Sequence, residues 1–408
     1  MDKLHQFILD NAETESTRLV LNKDKYPEID IDLAINTIES RRRIKKKLPT
    51  WYAQTKLIYP IKLSTEQASS EATAKYKAEI IKNLGIEIIA DLTGGMGVDS
   101  WSFSKVCKKV IYNEMQEELA TATKKNYKQL NIENVVFSSL KLDENNIDKI
   151  LGNLSPDMIF LDPARRGDMG RKVFRLEDCQ PDVLKLKEHL LKRSKYLMLK
   201  LSPMADIDMI IKELGFICEE IHIISQSGEC KELLVLIEEG WKGKTLLIAT
   251  DLDKNFSLKF TKEDESDAIC NYLQDASDLN EESYLLEPSK SITKAGGFKI
   301  LSSIYGYKKL APSTHLYLVH KDDIDRANKL GKLFKINEVH PFDKSSIKSI
   351  SIRFPRSEVS AKNLPLSSDE LRKKLGIKSG DDAHIWGLGT NLGRYLFVTK
   401  RIAHFEEF

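Results

Sequence analysis

The chain has 408 residues, 41% hydrophobic and 30% charged, with 63 Lys and Arg against 61 Asp and Glu. Two or three domains with a large core are expected at that length, and a net charge of +2 excludes nucleic-acid binding by overall potential, so any basic footprint must be local. Five scattered cysteines, without C-x-x-C or companion histidines, exclude a disulfide framework and a zinc site. No apolar stretch approaches a membrane span and no leader pattern opens the chain, so a cytoplasmic protein without membrane or metal partners is expected.

Residues 1–63 show no alternating strand pattern. Leu4, Phe7 and Ile8, then Leu33, Ile35 and Ile38, fall at roughly helical spacing, which predicts a helical region. Within it stands Arg41-Arg42-Arg43-Ile44-Lys45-Lys46-Lys47, followed by Leu48-Pro49-Thr50-Trp51-Tyr52. Two readings are open: a grip on phosphates with aromatic stacking, or a solvated helix face whose aromatics pack inward. Ser64-Thr65-Glu66-Gln67 reads as a helix start, with Ser64 as the cap and Gln67 reaching back. Ser69, Ser70, Thr73, Lys75, Tyr76 and Lys77 give that helix a polar face, which either closes over a ligand or is simply exposed.

A strand–helix alternation begins at Ile86. Ile86, Ile88, Ile89 and Ala90 form the short apolar run of a buried parallel strand. Asp91-Leu92-Thr93-Gly94-Gly95-Met96-Gly97-Val98-Asp99 follows, and Val98 to Lys108 reads as a helix. Such a glycine turn lets bare backbone and a helix N-terminus approach an anionic or strongly polar ligand. Its glycines do not make a clean dinucleotide G-x-G-x-x-G. A second strand, Val110-Ile111-Tyr112, ends in Asn113-Glu114, where an acid can accept two hydrogen bonds from a ribose diol. NAD enzymes share that feature. A helix from Glu117 to Leu130, a strand Val135-Val136-Phe137 and a strand Met158-Ile159-Phe160-Leu161 come next. The last runs into Asp162-Pro163-Ala164-Arg165-Arg166-Gly167, which as local structure is a strand-terminal turn.

Tyr196-Leu197-Met198-Leu199 is a fifth strand, followed by a short helix near Ile207 to Leu214 that stops at Gly215. Strands Ile217 to Ile224 and Leu233 to Ile237 are joined by a connection too short for a crossover helix, so they are antiparallel. A dinucleotide-binding sheet would continue in parallel. Beyond Gly240 a hairpin is predicted from Leu246-Leu247-Ile248-Ala249 and Phe256 to Phe260. An acidic stretch, the Tyr284-Leu285-Leu286-Glu287-Pro288 run and a helix opening near Ser291 follow. Further on, Ile347 to Phe354 and Tyr395 to Thr399 are strand-like, and Ser367-Ser368-Asp369-Glu370 is a capping box. Arg353, Arg356, Lys362, Arg372, Lys373, Lys374 and Lys378 make this tail locally basic.

The glycine loop resembles the acid-x-G-x-G-x-G loop of class I S-adenosylmethionine-dependent methyltransferases, with Thr93 where the first glycine usually sits. A parallel sheet closed by an antiparallel hairpin is that family's arrangement. The whole chain is similar to a group of these enzymes that end in a THUMP-like domain. Glu66 to Glu71, Asp91 to Gly97, Asp162 to Arg166, Glu229 to Glu232, Glu287-Pro288 and Leu364 to Ser367 carry the likeness. The implied fold is α/β: a helical N-terminal region (1–63), a Rossmann-like seven-stranded sheet with an antiparallel last strand (64–239), and small α+β domains. These are ferredoxin-like (240–331) and THUMP-like (332–408). The resemblance implies S-adenosylmethionine as cofactor, with Asp91, Thr93, Gly94, Gly95, Gly97, Asp99, Glu114 and Ser139 as candidate contacts. THUMP domains bind RNA, so it also implies a tRNA or rRNA substrate, with Arg165, Arg166, Arg372 and Lys373 as candidate contacts.

Asp162-Pro163-Ala164-Arg165 stands where base methyltransferases carry an Asp/Asn-Pro-Pro-aromatic or Asp-Pro-Pro/Ala-Arg tetrapeptide. Asp162 and a backbone carbonyl beside Pro163 are the candidate catalytic pair, accepting the hydrogens of an exocyclic amine and aiming its lone pair. Ala164-Arg165 lacks the ring that would stack on a flipped base. Ser138 and Ser139 stand where amino-methylating enzymes often carry an acid. The Asp-Pro-Ala-Arg form looks more like enzymes that methylate carbon 5 of uridine, but those need a cysteine after the fifth strand. Lys200-Leu201-Ser202-Pro203 stands there, and Cys179 reads as part of a helix start, which favours an exocyclic amine. Two other functions stay open: a methyltransferase acting on a small molecule or protein, and a non-catalytic RNA-binding protein with a relic cofactor fold.

Overall fold

The computed structural model describes residues 3–165, 176–279 and 283–402. The chain divides into two compact units, Met1–Glu219 with Leu233–Gly243, and Glu220–Glu232 with Lys244–Phe408.

The first unit opens with helices α1 (Lys3–Asp10), α2 (Ser16–Leu21), α3 (Ile31–Lys47), α4 (Pro49–Ala53), α5 (Lys62–Gln67) and α6 (Glu71–Asn83). Asp30 caps α3 by accepting from the Leu33 N–H at 3.0 Å. The basic run ends that helix, and its guanidinium groups are spent inside the fold. Arg41 donates to the Tyr52 and Gln54 carbonyls at 2.9 and 3.0 Å, and Arg42 to those of Ala12 and Thr14 at 2.8 and 2.7 Å. Arg43 pairs with Glu66. Trp51 is fully buried, edge-on to Trp101 with ring centroids 6.0 Å apart. The inward-packing reading of this cluster is the one the structure supports. The expected cap moves: Ser64 lies inside α5, and Ser70 caps α6 by accepting from the Thr73 N–H at 3.1 Å. Ala68, at φ −56° and ψ 153°, takes the chain out of helix between the two.

Then β1 (Ile88–Asp91), α7 (Val98–Phe103), β2 (Lys109–Asn113), α8 (Glu117–Gln129), β3 (Val135–Ser138), α9 (Ile147–Leu151), β4 (Met158–Leu161), α10 (Val183–Leu191), β5 (Tyr196–Leu201) and α11 (Ile207–Glu213) alternate. The strands pair in parallel in the order β3-β2-β1-β4-β5. Of the last two predicted strands, β6 (Cys218–Gln226) and β7 (Glu229–Glu238), β7 lies antiparallel to β5 with Tyr196 opposite Glu238. Strand order reverses at β1, between β2 and β4, which is where open α/β sheets hold ligands beyond their carboxyl ends.

In the second unit, β6 is joined in parallel by β8 (Leu246–Asp251), and β9 (Phe256–Phe260) closes back on β8. The hairpin expected to open the ferredoxin-like segment thus pairs with β6, adding two strands to the seven expected. Helix α12 (Lys262–Asp267) leads to β10 (Ser283–Pro288), α13 (Lys290–Ala295), α14 (Ile300–Tyr305), β11 (Lys308–Ala311), β12 (Thr314–His320), α15 (Ile324–Leu330), β13 (Gly331–Pro341), α16 (Lys344–Arg353), β14 (Glu358–Lys362), α17 (Ser368–Leu375), β15 (His384–Thr390) and β16 (Gly393–Arg401). Seven of these strands make one sheet in the order β11-β12-β10-β13-β16-β15-β14. The capping box at Ser367 and Glu370 forms as predicted.

Residues 347–354 correct the strand reading. Their Ile-Ser alternation mimics a period of two, yet Asp343 accepts from the Ser346 N–H at 2.8 Å and starts α16. Ile347 and Ile350, three apart, then face the core, while Ile352 is left 70% exposed. Among the described residues, no helix is long and apolar enough to cross a membrane.

Ser70→Ala should lower stability by about 1 kcal/mol through loss of the α6 cap, read as a lower urea midpoint at unchanged slope. An unchanged midpoint would mean that α6 is held by packing alone.

Candidate active site

A cavity of about 830 Å³ opens at the carboxyl edge of the first unit's sheet. Its lining comes from the tips of β1, β2, β4 and β5, from the segment beyond β3 and from the α5–α6 turn, among others. Volumes of this size hold nucleotide-like ligands.

The glycine loop forms its floor. Gly94 has no room for a side chain: a Cβ there would stand 2.2 Å from the ring of Tyr112, which is itself fully buried. Its N–H donates to the Asn113 carbonyl at 2.8 Å. Gly97, at φ +84°, ends the loop and starts α7, and a Cβ there would meet Thr123 at 2.6 Å. The Tyr112 and Tyr127 hydroxyls donate to the carbonyls of Gly95 and Gly97, both at 2.5 Å. The backbone therefore lies against two rings, and only glycine permits that approach.

Carboxylates surround this floor. Asp91, 1% exposed, accepts from the Ser100 hydroxyl at 2.5 Å and the Thr93 N–H at 3.2 Å. Burial, and then its neighbour Asp99, push its carboxyl up to about 7. Asp99 is buried too, which by itself disfavours its charge. The ammonium of Lys77, 3.1 Å away, and then that of Lys200 hold it below its ordinary value. Lys77 is 0% exposed and also donates to the Ser69 hydroxyl at 3.0 Å, while Ser69 donates to Asp99 at 2.7 Å. Glu114 accepts from the N–H groups of Gly95 and Gln116, both at 2.9 Å.

At the tip of β4 the Asp162 N–H donates to the Thr93 hydroxyl at 2.6 Å, tying the two loops together. The Asp162 carboxylate accepts from the Lys200 ammonium at 2.6 Å. Ala164 and Arg165 pair through their backbones with Gln180 and Cys179, which brings Gln180, Pro181 and Asp182 to the cavity wall. Cys179 is fully buried in that pairing, not a helix start.

The structure thus brings together Asp91, Thr93, Gly94, Gly95, Gly97, Asp99, Glu114 and Asp162 on one cavity. Ser139 does not line it. Its hydroxyl donates to the Glu114 carbonyl at 2.9 Å, so it supports the strand tip behind the cavity. Pro163 is buried and also absent from the lining. Arg166 lies outside the described residues. Arg372 and Lys373 sit on α17 of the second unit, with Arg372 3.4 Å from Glu358 and Lys373 exposed. Sequence reasoning missed Lys200, Asp143 and Gln180 as lining residues. Lys200 had a readable signal, a lysine ending an apolar run; Asp143 lies five residues beyond β3, too far for a strand-tip rule.

S-adenosylmethionine fits these residues: its sulfonium and ammonium suit a carboxylate-rich floor, and an ammonium beside Asp91 would favour the charged form that burial suppresses. Residues 284–325 match a ferredoxin-like domain family and residues 331–401 a THUMP domain-like family. A candidate methyltransferase from Porphyromonas gingivalis W83 is similar in structure at TM-score 0.83 and 28% identity, with 98% of each chain covered. An uncharacterized RNA methyltransferase of Enterococcus faecalis is 34% identical over 99 residues, 24% of this chain. That match spans about a fifth (21%) of the relative's length. The chain has the fold and domain composition of class I S-adenosylmethionine-dependent methyltransferases with a C-terminal THUMP-like domain.

Gly94→Ala should displace the Tyr112 ring or the loop and weaken S-adenosylhomocysteine binding at least tenfold by calorimetry, with the far-ultraviolet spectrum unchanged. Undiminished affinity would remove the loop from the ligand site. Asp91 predicts a pH dependence as well. Its carboxyl is raised from 3.8 in the unfolded chain to about 7 in the fold. Its contribution is therefore fully present below about pH 4 and is lost as pH rises through about 7. The loss is on the order of 1.4 kcal/mol per pH unit between those limits. Asp91→Asn should flatten the fall in unfolding free energy between about pH 4 and 7; an unchanged slope would rule out this ionisation.

Proposed function

We propose that this protein binds S-adenosylmethionine in the cavity described above and methylates an exocyclic amine of a base in tRNA or rRNA. The observation that carries the reading is Asp162, held by Thr93 at the tip of β4, with its carboxylate on the same cavity as the glycine loop. The bound cofactor supplies an electrophilic methyl group, and its sulfur keeps the electron pair of the broken bond. The chain's own residues bind and orient. Gly94, Gly95 and Gly97 admit the ligand against bare backbone. Glu114, with two backbone donors on a carboxylate that has about four acceptor sites, retains capacity for the ribose diol.

An exocyclic amine is a weak nucleophile because its lone pair is delocalised into the ring. Asp162 would accept one of its hydrogens, localise the lone pair and then take up the proton released. Holding donor and acceptor in line provides most of what such a transfer needs. The THUMP domain-like match and the RNA methyltransferase relative support RNA as the substrate. Residues 331–401 carry 14 Lys and Arg against 7 Asp and Glu, which supports it further.

A second reading, a small-molecule or protein substrate, draws on how many of those cations are already paired. Arg353 makes two 2.6 Å bonds to Glu338, Lys362 lies 3.6 Å from Glu287, and Arg372 contacts Glu358.

The test is methyl transfer from labelled cofactor to total RNA of cells lacking the gene, followed by nucleoside mass spectrometry. Asp162→Ala should keep S-adenosylhomocysteine affinity within threefold and reduce transfer at least a hundredfold. A variant that melts far below wild type would make Asp162 a structural turn, and RNA left unmodified by wild type would move the second reading into first place.

A further inference from the structure

We infer that Lys200 contacts the substrate: together with Asp162 it forms a donor–acceptor pair that reads the amine and the neighbouring ring acceptor of a nucleobase. This rests on the reading just proposed and deepens it, because it narrows the substrate to bases that carry an amine beside an acceptor.

Topology places the two residues side by side. β4 and β5 pair in parallel with Leu161 opposite Leu199, so the next residue on each strand, Asp162 and Lys200, emerges at the same edge. Both line the cavity that the glycine loop floors. The Lys200 side chain is only 12% exposed, against 37% for Asp162, so the lysine is the more buried member of the pair. Lysine is costly to desolvate, and a structural tie between two strand tips would not require one. The Thr93 hydroxyl fixes the Asp162 backbone at 2.6 Å, so both members of the pair have defined origins.

The chemistry of the pair is specific. An ammonium carries three donors and a carboxylate about four acceptor sites, so the 2.6 Å bond between them does not by itself saturate either group. A ligand that presents a donor next to an acceptor can join both at once. Adenine offers this with N6 beside N1 or N7, cytosine with N4 beside N3, and guanine with N2 beside N3. Uracil also sets a donor, N3–H, beside an acceptor, O4, but has no exocyclic amine to receive the methyl group, and a ribose hydroxyl is one group, not two. The ammonium on the ring acceptor and the carboxylate on the amine together fix the base, so the amine meets the methyl group only while both contacts hold. Neither group can therefore be removed without losing transfer. It also places recognition in the two strand tips, in a chain whose Ala164 and Arg165 replace the usual stacking ring.

Lys200 also favours the charged form of Asp99, so the competing account is a purely structural role through the loop floor. Three variants separate the two: Lys200→Met, Lys200→Gln as a second neutral form that keeps a donor, and Lys200→Arg. Each is measured for S-adenosylhomocysteine affinity, melting temperature, and methyl transfer to total RNA from cells lacking the gene. The inference expects the wild-type product to be an amino-methylated base. It expects Lys200→Met and Lys200→Gln to lose at least thirtyfold in transfer with affinity within threefold and melting unchanged, and Lys200→Arg to recover part of the rate. Full activity in the neutral variants overturns it, as does a loss of transfer matched by a loss of cofactor affinity or of folding. A wild-type product methylated on a ring carbon or on ribose overturns it while leaving RNA as the substrate. Wild-type protein that binds S-adenosylhomocysteine and modifies no RNA overturns the proposed function itself, and this inference with it.

Discussion

The contact between Gly94 and the ring of Tyr112 sets the geometry on which the cavity depends. A Cβ at 94 would stand 2.2 Å from that ring, so the loop lies as close to β2 as backbone can. The hydroxyls of Tyr112 and Tyr127 then take up the Gly95 and Gly97 carbonyls, and Glu114 takes up the Gly95 N–H. A loop anchored by three such bonds at Gly95 and Gly97 to buried side chains has little freedom left to lose when a ligand arrives, which is the physical content of preorganisation. It also brings the tip of β2 against that of β1, so that Asp91 and Glu114 line one cavity.

Packing several carboxylates so closely creates the site's electrostatic problem. Asp91 and Asp99 are both buried, and they disfavour each other's charge. The fold answers with Lys77, brought from α6 into the base of α7 with no exposure to water, and with Lys200 from the edge of β5. Removing one partner of such a buried pair typically costs more than the pair contributes, so these lysines tie α6 and β5 to the loop. What remains uncompensated is Asp91. A cofactor bearing an ammonium and a sulfonium would supply positive charge beside this carboxylate.

The N-terminal helices show how a basic run can mislead. Seven residues from Arg41 to Lys47 include six cations, yet Arg41 and Arg42 satisfy backbone carbonyls of neighbouring segments and Arg43 meets Glu66. Guanidinium groups are well suited to capping loops in this way, because five donors in a plane can reach several carbonyls at once. Composition alone cannot distinguish that use from phosphate binding. The partners of an arginine are decided by segments far away in sequence.

Period and turn chemistry were enough to read the alternation from β1 to β5, the antiparallel β7, the β8–β9 hairpin and the capping box at Ser367, because these follow from local contacts. The glycine loop and the acid at Glu114 were legible for the same reason: they are consecutive residues at strand ends. Helix α16 was not, since an Ile-Ser alternation satisfies either period until a core chooses a face, and Ile350 rather than Ile352 met one. Nor was the pairing of Asp162 with Lys200, 38 residues apart, or the burial of Lys77 under Asp99. Strand order and crossover packing place those charges together, and no local pattern in the chain encodes which strands become neighbours.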